Sequence, residues 1–402
     1  MEFKHMRKDI IVLGATGSIG KQALSLLRYN SSYRLVGISF SSNVEKIEEE
    51  LLYFDSLKTI AIKDEKSAKI FSSSHPFYHM IEGEECSIKL IEKYPGAVIL
   101  NALMGNAGFF PSLKAIENNH VLLLANKESL VIGSTLIKEK MKSSSSVIYP
   151  IDSEHVALAK LFDFLKSKKV PTDKIQKVYV TASGGSLRDY PLSTLKDVKK
   201  EDVLKHPTWK MSEKITVDSA TLVNKGYEVI EASVLFDFPL NKVGAFICRE
   251  SLIHAKIDYC DKGEKEEIVE LSPCDMKVAI NYALSFGKEK MHCIWDGDKK
   301  TISSLHIESI DDKRYPLFAL TIDMFKRYSN VGMIYFNSLD EMLISSFLKE
   351  EIAYLDIYRG LKMLYDEFDK KEILTEDNFY RIQEDSLSVA AEILSRIKEG
   401  KR

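Results

Sequence analysis

Three groups of side chains in this sequence have the types and spacings that do chemistry. The first is Pro150-Ile151-Asp152-Ser153-Glu154-His155, which follows an apolar run and sets two carboxylates two residues apart. On an extended stretch both acids point to the same side and offer hard oxygen ligands, for which magnesium or manganese is the natural guest. The same spacing also begins many helices, so a further carboxylate is needed to decide between the two readings. One stands in the second group, which runs from His206-Pro207-Thr208-Trp209-Lys210-Met211 through Thr216-Val217-Asp218-Ser219-Ala220-Thr221 to Asn224-Lys225-Gly226-Tyr227-Glu228. Its hydroxyls, amide and cation suit a phosphate monoester, with Ser219, Asn224 and Lys225 as donors and Glu228 as the added metal ligand. The plain alternative is a turn at Lys225-Gly226 with Glu228 as a surface acid.

The third group is Gly14-Ala15-Thr16-Gly17-Ser18-Ile19-Gly20, placed between an apolar run and a segment of helical spacing. Glycines let a dinucleotide pyrophosphate approach the backbone, and a helix start supplies free N–H groups with a positive dipole end. A second expected strand ends Gly37-Ile38-Ser39-Phe40-Ser41-Ser42-Asn43. It lacks the carboxylate that bonds the ribose hydroxyls of NAD, which favours NADP, with hydroxyls and Asn43 in place of a cation. Two shorter segments join these groups. Ala182-Ser183-Gly184-Gly185 offers a hydroxyl and close backbone approach, and in Asn126-Lys127-Glu128-Ser129 the Lys127 ammonium could neutralise an oxyanion. Each also reads as an ordinary turn or loop.

The elements that must position these groups follow from apolar periodicity. Ile10 to Leu13, Tyr33 to Ser39, Thr59 to Ile62, Ala97 to Leu100, His120 to Leu124 and Ser146 to Tyr149 are short continuous runs alternating with helical patterns, the rhythm of a buried parallel sheet. From Asp152 to about Ala283 the texture becomes α+β, with Lys177 to Ala182 and Val243 to Ile247 as the clearer strands. Charge-rich Ser285 to Arg314 reads as a linker, and helical spacing dominates from Tyr315, with Thr375 to Asp377 capping a last helix through Ile382, Leu387, Ala390 and Leu394.

Composition narrows the function class. The 56 Lys and Arg against 59 Asp and Glu leave a net charge of −3, so no sequence-wide field draws nucleic acid or an anionic membrane. The five cysteines are scattered without a Cys-x-x-Cys pair, which fits a reduced compartment. The basic start and the run Ile10 to Leu13 are too short a pattern for a secretory signal, and no window reaches the length of a membrane span. The expectation is a soluble cytoplasmic protein.

In this order the segments Gly14 to Gly20, Asn101 to Pro111, Ala125 to Val131, Pro150 to His155, Thr181 to Asp189 and His206 to Ala232, with the weaker Asn337 to Glu341, closely resemble the 1-deoxy-D-xylulose-5-phosphate reductoisomerase family. The resemblance implies an α/β chain: a Rossmann-like NADPH-binding domain over residues 1–151 and a central α+β domain for catalysis, metal binding and dimer contacts over 152–285. A linker over 286–314 and a C-terminal helical bundle over 315–402 would follow. It implies that Asp152, Glu154 and Glu228 hold Mg2+ or Mn2+, and that Lys127 and Ser153 contact the reacting end of a small phosphorylated sugar. Ser183, Ser219, Asn224 and Lys225 would grip its phosphate. His206 to Ser212 would be a mobile lid, with His206 touching substrate and Trp209 covering it. Thr16, Gly17, Ser18, Ile19, Ser41, Ser42, Asn43, Asn126, Glu128 and Ser212 would line NADPH. Lys127, Glu154, His206 and Glu228 are the expected catalytic residues, the partner is a second copy of the chain, and His254 falls beside the site.

Several positions depart from the family pattern, among them Ser186 and Ala279, where a proline is missing and loop rigidity is expected to change more than chemistry. A basic residue is absent near Ser41-Ser42, a lid glycine is Ser212, and Cys248-Arg249 replaces a His-Pro pair. A side chain at Ser212 narrows backbone freedom and is expected to restrict lid motion. The rival readings are another NAD(P)-dependent dehydrogenase of a phosphorylated substrate, separated by metal dependence and product, and a non-catalytic paralogue. Against the paralogue stand three retained, mutually repelling acids.

Overall fold

Strand β1 (Lys8–Leu13) carries four successive side chains, Ile10 to Leu13, with no solvent exposure, so it must be covered on both faces. In the computed structural model, which describes residues 7–288 and 306–400, it is the centre of a parallel sheet. The other strands are β2 (Tyr33–Phe40), β3 (Thr59–Ile62), β4 (His79–Glu82), β5 (Val98–Asn101), β6 (Val121–Leu124) and β7 (Val147–Pro150). Their order is β4-β3-β2-β1-β5-β6-β7, and every pairing is parallel. The chain therefore reverses its direction of travel across the sheet between β2 and β5, on either side of β1. In such sheets the crevice at that reversal, beyond the carboxyl ends of the strands, is where ligands bind. Six of the seven strands coincide with the apolar runs. The edge strand β4 does not, because its side chains are only partly buried and show no apolar run.

The chain divides into two compact units. One comprises residues 7–129, 136–156 and 275–288; the other comprises 130–135, 157–274 and 306–400 among the described residues. This partition differs from the expected segments in giving the helix Met276–Leu284 to the first unit, where Ile280, Ala283 and Leu284 join the core around Ile10, Val12 and Leu24. The Tyr33 hydroxyl donates to the Leu284 carbonyl at 2.5 Å and ties that helix to β2.

The second unit holds a five-stranded sheet in the order β11-β10-β8-β9-β12, from β8 (Ile175–Ala182), β9 (Val243–Cys248), β10 (Ile253–Asp261), β11 (Glu264–Leu271) and β12 (Ile307–Glu308). Only β8 and β9 were expected. The β10–β11 hairpin turns at Lys262 and Gly263, both at positive φ, which is the backbone a two-residue hairpin loop demands. Against this sheet and beyond it pack the helices Glu213–Thr221, Val223–Leu235, Pro316–Leu348, Tyr354–Glu367 and Glu376–Glu399. The last starts as expected: the Thr375 hydroxyl accepts the Asn378 N–H. Its buried stripe is Phe379, Ile382, Ser386, Ala390, Ile393 and Ile397, whereas Leu387 faces outward at 47% exposure. Part of the expected linker, residues 289–305 with Cys293, lies outside the described residues.

Candidate active site

On the first unit the glycine-rich turn leaves β1 at Leu13, which pairs with Ser39 of β2 and Asn101 of β5, so the turn stands at the reversal point. Gly14 has φ +77° and a Cβ there would lie 2.4 Å from the Ala102 carbonyl oxygen; only glycine fits. Gly17 precedes the helix Ser18–Leu27, which has no side-chain cap, so Thr16, Gly17, Ser18 and Ile19 present a helix start suited to an anion. Ser41, Ser42 and Asn43 follow β2 and are exposed.

Asn126, after β6, is 1% exposed and saturated by the protein. Its amide donates to the carbonyls of Leu103 (3.0 Å) and Gly105 (2.9 Å) and to Glu128 (3.0 Å), and its oxygen accepts the Ser129 N–H at 3.1 Å. It therefore braces the neighbouring loop, and Glu128 is fixed beside it. Lys127 Nζ lies 2.9 Å from Asp152 Oδ2 with both side chains nearly buried.

The acid pair does not sit on an extended stretch. A helix begins at Ser153 (Ser153–Ser167), and Asp152 is its cap: Oδ1 accepts N–H bonds from Glu154 (3.1 Å) and His155 (3.4 Å) and meets His155 Nδ1 at 2.8 Å. The helix start thus keeps the two carboxylates close together, so one arrangement satisfies both readings of the spacing. Capping aims the second Asp152 oxygen at Lys127, and ligand atoms of Asp152 and Glu154 fall within 4.8 Å of each other. The Ser153 hydroxyl donates to Glu154 at 2.5 Å.

On the second unit, β8 ends in Ser183-Gly184-Gly185. A Cβ on Gly185, at φ +70°, would come within 2.6 Å of the Ser219 carbonyl oxygen and Ala220 Cα, so the missing side chain lets the turn lie on the helix Glu213–Thr221. That approach assembles the phosphate candidates. His206 Nε2 is 3.0 Å from the Ser183 hydroxyl and 3.2 Å from that of Ser219. His206 Nδ1 accepts the Trp209 N–H at 2.8 Å, so the proton of a neutral ring sits on Nε2 and points between the two serines. Burial, reinforced by the Arg188 guanidinium, lowers the His206 pKa to about 4, keeping the ring neutral. Trp209 meets the His254 ring edge-on at 6.2 Å.

The helix Glu213–Thr221 breaks at Leu222, in the left-handed region at φ +60°, and restarts as Val223–Leu235. Asn224 donates to Glu228 at 2.6 Å, and Lys225 Nζ pairs with the other Glu228 oxygen; Lys225 and Glu228 are 4% and 2% exposed. The Ser212 backbone, at φ −67° and ψ 158°, is open to any residue, so the side chain imposes no strain in this conformation. Sequence reasoning passed over Arg188, which donates to the Ser183 carbonyl at 2.7 Å and the Arg249 carbonyl at 3.0 Å and so buttresses the serine turn. Its position five residues after Ser183 was the available signal. Arg249, at the departing Cys248-Arg249 pair, bonds Asp189 at 2.6 Å and also Glu308.

Comparison with known proteins agrees along the chain. Profiles described as 1-deoxy-D-xylulose 5-phosphate reductoisomerase, its C-terminal domain, and DXP reductoisomerase C-terminal domain match residues 10–134, 148–236 and 271–387. The 1-deoxy-D-xylulose 5-phosphate reductoisomerase of Thermotoga maritima is 36% identical over 90% of both chains, and that of Bacillus subtilis is 36% identical over 87% of this chain and 90% of its own. Among solved structures, a DOX-P reductoisomerase in complex with NADPH, fosmidomycin and magnesium is similar at TM-score 0.87 and 26% identity, covering 97% of this chain and 99% of that one. The Zymomonas mobilis reductoisomerase in complex with NADPH is similar at TM-score 0.83 and 26% identity, over 96% and 99%.

Proposed function

Because the chain belongs to the 1-deoxy-D-xylulose 5-phosphate reductoisomerase family, we infer that it converts 1-deoxy-D-xylulose 5-phosphate to 2-C-methyl-D-erythritol 4-phosphate in isoprenoid precursor biosynthesis, using NADPH and a divalent metal. The carrying observation is 36% identity over nine-tenths of both chains. We assign the metal to Asp152, Glu154 and Glu228, an all-oxygen donor set that fits magnesium. Bound there, the ion supplies Lewis-acid stabilisation of the ketone and hydroxyl oxygens while one C–C bond is broken and remade.

The chain's own side chains do the remaining work. Lys127, held by Asp152, and Ser153 contact the reacting end of the sugar. Ser183, Ser219, Asn224 and Lys225 hold the phosphate, with neutral His206 donating from Nε2; anchoring so far from the reacting carbons supplies orientation. Trp209, in the segment 206–212, covers the substrate and excludes water. Thr16 to Ile19, Ser41 to Asn43, Glu128 and Ser212 line NADPH, with hydroxyls taking the place of a cation near the 2′-phosphate; the expected cofactor contact of Asn126 is replaced by a bracing role, since its side chain is buried and taken up by the protein. Functionally, residues 1–151 serve NADPH, 152–285 catalysis and dimer contacts, and 315–402 form the helical part after the linker 286–314. The working form is a cytoplasmic homodimer; among the described residues no helix is long and apolar enough to cross a membrane.

The test is NADPH consumption by purified protein with 1-deoxy-D-xylulose 5-phosphate and magnesium or manganese, with the product identified by NMR. Consumption yielding 2-C-methyl-D-erythritol 4-phosphate supports the reading. A reduced but unrearranged product, or no consumption with either metal, overturns it.

A further inference from the structure

The segment Asn337 to Glu341 takes no part in the site just described, yet it sends Asp340 into the interior opposite the phosphate helix. Asp340 is 0% exposed and Asp218, one residue before Ser219, is 2% exposed. Lys214 Nζ stands between them, 2.7 Å from Asp218 Oδ2 and 3.1 Å from Asp340 Oδ2. The remaining oxygen of each acid, Oδ1, is buried and meets no donor. The two carboxyl groups therefore flank a single Nζ, each through one oxygen. Ionised carboxylates only accept, so two buried ones around a single ammonium leave acceptors unmatched unless one of them carries a proton. Charge counting agrees: two buried carboxylates face one ammonium.

Among the described residues, Lys214 is the cation that the ion pairs place on these two acids. From Val223–Leu235 comes Tyr227, whose ring lies 5.8 Å from Lys214 and whose hydroxyl donates to Asn337 at 3.2 Å. From the Asp340 helix comes Glu341, a further negative charge that accepts from the Asn337 amide at 3.1 Å. Tyr354 donates to the Ala220 carbonyl at 3.0 Å, and Asp202 of the short helix Lys200–Val203 accepts from Tyr190 at 3.2 Å. Burial, with the neighbouring Asp340 charge, pushes Asp218 up to about 7, and burial raises Asp340 as well.

We propose that Asp218 and Asp340 share one proton at neutral pH, and that this protonated pair is a positioning device holding Ser219 for the substrate phosphate. The inference rests on the assignment of Ser219 given above. Loss of the proton to solvent leaves two buried carboxylates repelling across one lysine, which pries the helix Glu213–Thr221 away from Pro316–Leu348 and moves Ser219 with it. The predicted symptom is a KM for the phosphorylated substrate that climbs above neutrality, where the substrate phosphate is already fully ionised.

Two measurements test it. Infrared difference spectra between about pH 6 and about pH 9 show a protonated-carboxyl band in the parent that vanishes on alkalinisation and is missing from Asp340→Asn, whose amide donates to Asp218 without an external proton. In NADPH-linked assays the parent KM rises towards tenfold per pH unit above about pH 7, and Asp340→Asn flattens that rise. Absence of the band from the parent, or its survival in both Asp340→Asn and Asp218→Asn, overturns the shared proton. A titrating band with a pH-independent parent KM overturns the positioning role. The parent spectrum decides the first point even where a variant fails to fold. No turnover at any pH, with the band intact, overturns the proposed activity and the positioning role with it, but not the proton.

Discussion

At the scale of single residues, each proposed ligand is held by another. Glu228 is gripped by Asn224 and Lys225, and Asp152 by Lys127 and the first turn of its own helix. Glu228→Gln keeps the size and removes the charge, so it is expected to lower kcat/KM by about a hundredfold or more, with some loss of stability because it breaks the buried pair with Lys225. Near-parental turnover at saturating metal would reject the metal assignment. Lys225→Ala removes a donor to phosphate and also the cation paired with a buried acid, so two effects are mixed. Affinity for phosphate-bearing ligands is expected to fall roughly 10- to 100-fold, and that for dephosphorylated analogues much less. Adding Glu228→Gln to the lysine variant is expected to recover part of its lost stability, since the glutamine removes the stranded charge. Equal weakening of both ligand classes would sink the phosphate role.

At the scale of elements, the site depends on how helices start and stop. The break at Leu222 separates Ser219 from Asn224 and Lys225 and gives each its own helix end. Leucine at φ +60° is strained by roughly 1–2 kcal/mol, which Leu222→Gly relieves, but the side chain is 1% exposed and removing one so buried costs about 2–5 kcal/mol. Packing outweighs strain. Leu222→Gly is expected to destabilise the protein by roughly 1–4 kcal/mol in chemical denaturation. A more stable variant would mean that the break is held by strain rather than by the core.

At the scale of the whole molecule, two groups pull stability in opposite directions with pH. His206 has a folded pKa near 4, below its usual 6.5, so its contribution is complete above about 6.5 and fades as pH falls towards 4. Asp218 is raised from 3.8 to about 7, so its contribution is complete in acid and fades as pH climbs to about 7. Replacing His206 with Gln removes the first slope only. Relative to the parent, that variant is expected to be more stable at about pH 5 than at about pH 8 in thermal unfolding. A difference between the two proteins that does not change with pH would show that the ring is not held neutral.

The sequence by itself determined what short stretches can specify. Continuous apolar runs marked six of the seven parallel strands, because such runs need cover on both faces wherever they lie. Gly14 could be read because a turn so close to another backbone excludes any Cβ, and the spacing of Asp152 and Glu154 proved to be a capped helix start. The hairpin of β10 and β11 escaped because β11 opens with four exposed charged residues, Glu264 to Glu267, and has no apolar run of its own, although Lys262-Gly263 was a legible turn. Only the tertiary structure decided that Arg188 braces Ser183, that Gly185 lies on Ser219, and that Lys214 joins Asp218 to Asp340 across more than a hundred residues of chain. Those contacts depend on which surfaces pack together, and packing is set by the whole core rather than by the spacing of any segment.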